Sequence, residues 1–247
     1  MLSSIFLVAI GIFGGIYTEA DSDLVRKERP LPSSFDEIVI DGNFDVSLIQ
    51  LTEAENKMNL PPLEIETTTD GHSHILADVT SGHILSIGVQ GVMSVKQPTR
   101  LFIRFNPPLR SYSVSGAGST VCEGNGLSNP ANEKFIFFHE GASNVNLKLN
   151  VFTLEAKIQG AGQTQLSGEV RDQANIEVRG TREVDASKLT CKRAMVSVEG
   201  TSKLTVSATD DIEIMTGGVS KVFYRLPAGK QPSKAITGGL ATIERLS

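Results

Sequence analysis

The chain of 247 residues carries 23 Lys and Arg against 28 Asp and Glu, for a formal net charge of −5, with 23 glycines, no tryptophan and 6% aromatic residues. Mild acidity without a Lys/Arg stripe interleaved with aromatics argues against nucleic acid as a partner. So few bulky anchors, together with a Val/Ile/Thr/Ser-rich alternation, argue against a helical core and for strands.

At the start, Ile5 to Tyr17 is an apolar run followed by Thr18-Glu19-Ala20, which places small residues where a signal peptidase reads. The run is short of the roughly 20 residues that span a bilayer, so residues 1–20 are expected to be a signal peptide, with no membrane span after cleavage and a secreted, extracellular destination. No cysteine follows the run, which removes a lipid anchor. Cleavage deletes Glu19 and no base, taking the net charge from −5 to −4. Residues 21–34, DSDLVRKERPLPSS, are charged and proline-bearing and read as a flexible lead-in to one domain over 35–247.

The first structured stretch is FDEIVIDGNFDVSLIQ, with Ile38 and Ile40 before Gly42 and Val46 and Leu48 after it. Alternation of this kind means strand. Between Leu51 and Arg100 the pattern blurs, although LEIETTT, HILADV and HILSIGV each read as strands. Residues 52–62, TEAENKMNLPP, are expected to bulge out as a loop. From Leu101 order returns, and glycines then recur at Gly116, Gly141, Gly160, Gly180, Gly200, Gly218 and Gly238, in steps of 25, 19, 20, 20, 18 and 20. The long first step contains NGLSNPANE, a surface insertion by composition, within a loop over 123–134.

Three copies are clearest. Ala156 and Ile158, Ile176 and Val178, Val196 and Val198 stand four and two residues before Gly160, Gly180 and Gly200. A step of about 20 residues is too short for a propeller blade. It predicts an all-β, right-handed parallel β-helix with about 20 residues and three short strands per coil, and little or no helix. Gly42, Gly116, Gly141, Gly160, Gly180, Gly200 and Gly218 would be its corner glycines, taking up positive φ or close approach to the next coil. The same register pairs Lys157 with Glu177, Arg179 with Glu199 and Glu183 with Lys203 on adjacent coils.

FDEIVIDGNFDVSLIQ, RLFIRFNPPLRSYSVSGAGST and IQGAGQTQLSG together resemble the putative auto-transporter adhesin, head GIN domain family, over most of residues 35 to 226. The resemblance implies an exported β-helix-like domain without established enzymatic activity, and supplies no functional residues. The chain departs from the family at Gly180-Thr181 and Gly200-Thr201, where glycine-alanine-glycine is frequent.

Candidate chemistry is sparse. Asp210-Asp211 resembles the double aspartate of pectin-cleaving hydrolases, yet neighbouring strand residues point to opposite faces and no Gly-His-Gly or Arg-x-Lys motif follows. A solvated turn explains the pair better. His72 and His74 alternate, with Asp70, Asp78 and His83 nearby, but lack a defined third metal ligand. His139 stands where other copies put Ile or Val and is expected to face inward, bonded to a backbone carbonyl. Ser167, Ser187 and Ser207 recur without a base at fixed offset and read as a hydroxyl ladder. Cys122 and Cys191 lie three coils apart, roughly 14 Å at the strand spacing, beyond disulfide reach, so both are expected free, Cys122 facing inward. No N-glycosylation sequon occurs.

These readings predict no catalytic residues, no metal and no cofactor. The expected function is non-catalytic extracellular binding, adhesion or a structural role toward an unknown ligand, glycan or protein, through the flat faces and the two loops. The alternative is a carbohydrate-active enzyme on a β-helix scaffold. Unpaired strand edges at the ends also allow self-association.

Overall fold

The computed structural model describes residues 24–91, 98–130 and 132–246. The signal segment expected at 1–20 lies outside them. The chain is all-β, with β1 (Val25–Glu28), β2 (Glu37–Asp41), β3 (Phe44–Gln50), β4 (Leu63–Thr67), β5 (Ile75–Val79), β6 (Ile84–Val89), β7 (Thr99–Phe105), β8 (Ser111–Gly116) and β9 (Gly118–Cys122) before the regular part. Two one-turn helices, α1 (Glu53–Asn56) and α2 (Gly71–His74), interrupt them. There follow β10 (Leu127–Ser128), β11 (Lys134–Gly141), β12 (Asn144–Val151), the 48-residue β13 (Thr153–Gly200), β14 (Lys203–Ser207), β15 (Asp211–Thr216), β16 (Lys221–Arg225), β17 (Lys234–Thr237) and β18 (Thr242–Arg245).

Alternation decides which side chains go inward. In β12, Val145, Leu147, Leu149 and Val151 are buried while Asn144, Asn146, Lys148 and Asn150 are exposed. The ladders beyond residue 111 are parallel, and their registers repeat the spacing of the glycines: Lys134 faces Thr153, Val145 faces Thr164, Glu183 faces Lys203 and Arg193 faces Asp211. Each step contributes two long strand segments, as β11 and β12 show, rather than three short ones. The first copy joins the same ladders from a distance, because β2 lies between β6 and β8 and β3 between β7 and β9.

The sheet is mixed, where the sequence pattern led us to expect parallel pairing throughout. β4 runs antiparallel to β1 and β7, and β5 antiparallel to β6. For β5 and β6 the reason is connection length. Only Thr80–His83 join them, with Thr80 N–H donating to Ile84 O at 3.0 Å, and a link that short can only reverse the chain. Residues 25–28, within the expected flexible lead-in, form a strand. Arg26 holds it in place by donating to both carboxylate oxygens of Glu64, at 3.0 and 2.9 Å, and by stacking 3.6 Å over the Phe102 ring. The stretch 52–62 begins with α1 rather than loop alone. Thr52 and Glu55 form a reciprocal capping box there, the Thr52 hydroxyl accepting from Glu55 N–H.

At the corners Gly42, Gly116, Gly141, Gly160, Gly180, Gly200 and Gly218 all have positive φ, and each lies directly against the next. A Cβ on Gly180 would stand 2.4 Å from the Gly160 oxygen, and one on Gly160 would stand 2.3 Å from the Gly141 oxygen. The column ends at Gly239, with φ +67, where a Cβ would stand 2.7 Å from the Gly218 oxygen, one residue beyond the glycine that the spacing picks out. Gly180→Ala is therefore expected to lower the denaturation midpoint severely, by at least about 1–3 kcal/mol for the backbone strain alone. Gly124 also has positive φ, but nothing lies within 4 Å of its would-be Cβ. Gly124→Ala is expected to cost no more than about 1–2 kcal/mol. Urea titration of both variants measures the difference, and equal midpoints would refute the contact.

Candidate binding face and buried polar cluster

The parallel register lines up the outward residues of successive steps. Ile136 faces Glu155 and Phe138 faces Lys157, while further along Met195 faces Glu213 and Ser197 faces Met215. Between them lies a groove of about 350 Å³ lined by Glu155, Lys157, Glu177, Met195, Glu213 and Met215. Met195 and Met215 are 40% and 42% exposed and, with Ile136 at 41%, put apolar side chains among the charges of this strand face. Gln173 Nε2 donates to Asn175 Oδ1 at 2.7 Å and lies 3.2 Å from Met195 Sδ, so the first methionine is held by its neighbours. The hydrogen bond from Lys134 holds the Glu155 carboxyl below its ordinary range. The face thus offers adaptable thioethers between fixed charges, a surface for contact rather than for proton transfer.

A second polar assembly lies inside. Arg182, 1% exposed, sits two residues after Gly180 on the inward side of β13. Gly162, one step earlier, contributes no side chain there. The guanidinium reaches back to the Gly141 carbonyl at 2.7 Å, the Ala161 carbonyl and Thr164 Oγ1 at 3.1 Å. Its Nη1 lies 2.7 Å from His139 Nδ1, and His139 Nε2 lies 2.5 Å from Ser143 Oγ. The shorter contact assigns Nδ1 as acceptor and Nε2 as the protonated nitrogen donating to Ser143. His139 is buried as expected, but hydroxyls and a guanidinium take the place of the expected backbone carbonyl. Burial, reinforced by the Arg182 charge, pushes its pKa from 6.5 down to about 3. Burial lowers Arg182 to about 10, leaving it charged at neutral pH.

The remaining sequence candidates are dispersed. Asp211 accepts from Ser233 Oγ at 2.5 Å and its carboxyl is lowered by that bond, while Asp210 lies 3.4 Å from Lys230 Nζ. Asp211 is thus tuned away from a general acid. His72 and His74 lie on α2, not on a strand. His72 Nε2 is 2.8 Å from Val25 O, His74 Nδ1 is 3.1 Å from Gln90 O, and His83 Nδ1 is 3.2 Å from Ser34 O. No group of three metal-ligating side chains forms among the described residues. Ser207 Oγ donates to Ser187 O at 3.3 Å and Ser167 Oγ to Leu147 O at 3.4 Å, whereas Ser187 between them turns to Asp185, its N–H donating to Asp185 Oδ1 at 2.9 Å, so the expected hydroxyl ladder is interrupted at its middle rung. Cys122 and Cys191 are free, and burial raises both thiols to about 11. Cys122 is half-buried and Cys191 buried. Of the expected ion pairs, Lys203–Glu183 forms at 2.8 Å and Arg179–Glu199 is loose at 3.8 Å. Lys157 turns to Glu155 on its own strand, at 3.6 Å, instead of Glu177.

Sequence reasoning missed Arg182 and the two methionines. The signal for Arg182 was present, since it alternates with the inward Val184 and Ala186 and follows a gap at Gly162. The methionines had no such signal beyond their outward register.

Residues 34–225 match the sequence pattern of the putative auto-transporter adhesin, head GIN domain family. The chain belongs to this family. Among solved structures, the GIN domain is similar to a putative adhesin from Bacteroides fragilis, at 21% identity over 91% of this chain and 97% of the other, with a TM-score of 0.77. A putative adhesin from Parabacteroides merdae follows at 17% identity, 92% and 98% coverage and a TM-score of 0.64. A putative lipid binding protein from Parabacteroides distasonis matches at 16% identity over 92% and 98%, with a TM-score of 0.66. At these identities the likeness establishes the fold alone. No curated protein matches the chain. No helix among the described residues is long and apolar enough to cross a membrane.

The cluster around Arg182 makes stability depend on pH with a defined sign. His139 binds a proton at 6.5 when unfolded and only near 3 when folded, so the unfolded state takes up more protons as pH falls through that window. Stability is then lost on acidification from about pH 6.5 toward 3, with a slope of about 1.4 kcal/mol per pH unit from this residue. His139→Asn is expected to remove that component. Urea midpoints taken between pH 7 and 4 test it, and parallel pH profiles for variant and wild type would refute the assignment.

Proposed function

We propose that this GIN domain is an exported, non-catalytic binding module of adhesin type, built as a right-handed parallel β-helix behind a cleaved signal peptide at residues 1–20. What supports the β-helix is the parallel register repeating every 18–21 residues from β11 to β18, and the stacked corner glycines. The single observation that carries the binding reading is the grooved outward face with exposed Met195 and Met215 between fixed charges. Thioethers adapt to irregular partners and are over-used at promiscuous binding surfaces. A rigid sheet loses little conformational freedom when it binds, which favours affinity from modest contacts. The ligand is extracellular, a glycan or a protein.

The alternative, a carbohydrate-active enzyme, has less support. Each carboxylate with a displaced pKa, Asp211 and Glu155 among them, is displaced downward, whereas glycoside cleavage needs one acid raised. The family membership points the same way, toward adhesion.

The test is a glycan array and a solid-phase screen against extracellular matrix proteins, using wild type and the double variant Met195→Lys with Met215→Lys. Saturable wild-type binding that weakens by about tenfold or more in the folded variant is expected. Binding indifferent to both lysines would reject this face, and release of sugar from a polysaccharide substrate would reject the non-catalytic reading.

A further inference from the structure

An open pocket lies elsewhere, at the corner where β14, β16 and β18 end. Its volume is about 480 Å³, within the range of small-molecule sites. Its apolar lining is Ala208, Leu226, Pro227, Ala228 and Leu246, of which Ala208 and Leu226 belong to the buried core. The register sets Arg225 beside Leu246, one residue beyond the Tyr224–Arg245 pair. Two arginines, Arg225 and Arg245, line the cavity and no acid does.

The two arginines do different things. Arg245 donates to Lys230 O at 3.0 Å, Leu226 O at 3.0 Å and Pro227 O at 2.9 Å, so it fixes the 227–230 turn as one wall. Arg225 is exposed, and its guanidinium makes no hydrogen bond or ion pair among the described residues. A cationic fork beside an apolar floor, in a protein of net charge −5, is complementary to a molecule with one oxyanion and an apolar body.

The hydroxyls on the rim narrow the class further. Thr190 Oγ1 donates its proton to Gly168 O at 3.1 Å and Ser207 Oγ donates to Ser187 O at 3.3 Å. With those protons committed, Arg225 is left as the free donor, a cation suited to an oxyanion, and the lining has no aromatic ring on which a sugar would stack. We propose that this corner cavity binds a small monomeric amphiphile, an alkyl carboxylate, with Arg225 on the carboxylate and the chain on Ala208, Leu226 and Leu246.

Calorimetry with decanoate below its micellar concentration tests the site on the full chain. One-to-one saturable binding is expected, weaker by about tenfold or more in Arg225→Gln and for 1-decanol, because a charge-assisted hydrogen bond is then missing. Ala228→Trp, which fills the pocket from the exposed turn without replacing a core residue, is expected to abolish binding while circular dichroism stays unchanged. Absence of wild-type binding, equal affinity in Arg225→Gln, or binding retained in Ala228→Trp would overturn the proposal. Co-sedimentation with phosphatidylcholine vesicles carrying phosphatidylserine, lost in Arg225→Gln, would also overturn it by making the occupant a membrane surface rather than a free monomer. None of these outcomes depends on the Met195 face.

Discussion

Close approach of backbone to backbone at the glycine corners sets the geometry on which everything else depends. With Cβ positions 2.3–2.4 Å from the preceding carbonyl oxygen along Gly116, Gly141, Gly160, Gly180, Gly200 and Gly218, only glycine can occupy the column. Once the corners stack, the flanking strands have no choice of register. A slip by one residue would carry Val178 and Ile176 to solvent and bring Arg179 and Glu177 inside. The corner glycines and the alternation therefore specify the same arrangement twice, once through backbone sterics and once through burial. Agreement between two independent levels is what singles out one structure.

The interior tolerates one charge because the same backbone supplies its partners. Arg182 has no carboxylate beside it, and its guanidinium is satisfied by the Gly141 and Ala161 carbonyls, Thr164 and His139. Its Nε alone is left without a partner. A buried cation held by carbonyl dipoles rather than by a counterion adds little net stability, since desolvation opposes the attraction. What it adds is position. Gly162 contributes no side chain at the position below it, and there His139 and Ser143 present their nitrogen and oxygen. One step to either side of His139, the guanidinium would meet Ile158 or Val114, both buried apolar side chains.

Much of the regular half was legible in sequence because its period follows from a single rule, that each step must stack on the last. From residue 111 onward, the alternation around Ile158, Val178 and Val198 identified the inward side chains and the glycine spacing identified the ladder offsets. The region 51–100 was opaque for a physical reason. LEIETTT and HILADV read correctly as strands, but alternation carries no direction, and the reversal of β5 on β6 is decided by the four residues between them. The end of the column was misplaced by one residue, since Gly238 and Gly239 are adjacent and composition alone cannot choose between them. The three-strand step failed similarly, because a continuous alternating run leaves open where a corner falls. For the sites, exposure was the missing quantity. His139 was legible through its place in an apolar column, whereas Met195, Met215 and Arg225 are ordinary outward residues until three-dimensional register assembles their neighbours.

The catalytic candidates and the surfaces differ in what the fold does to them. Asp210, Asp211, His74 and the serines Ser167 and Ser207 each sit in a local arrangement that engages their polar atoms, with Ser233, Lys230, Gln90 and backbone carbonyls as partners, while His72 is anchored to Val25 O and keeps its Nδ1 buried without a partner. A group whose bonds are completed by the scaffold is not free to exchange protons with a substrate. The residues left with unspent capacity are the exposed thioethers on the strand face and the lone guanidinium at the corner. Both lie outside the stacked core, on positions where the ladder constrains the backbone but not the side-chain type. Stacking thus fixes the scaffold through the corner glycines and the inward columns and leaves the outward columns free to vary, so that the surface chemistry can change without altering the residues that make the chain fold.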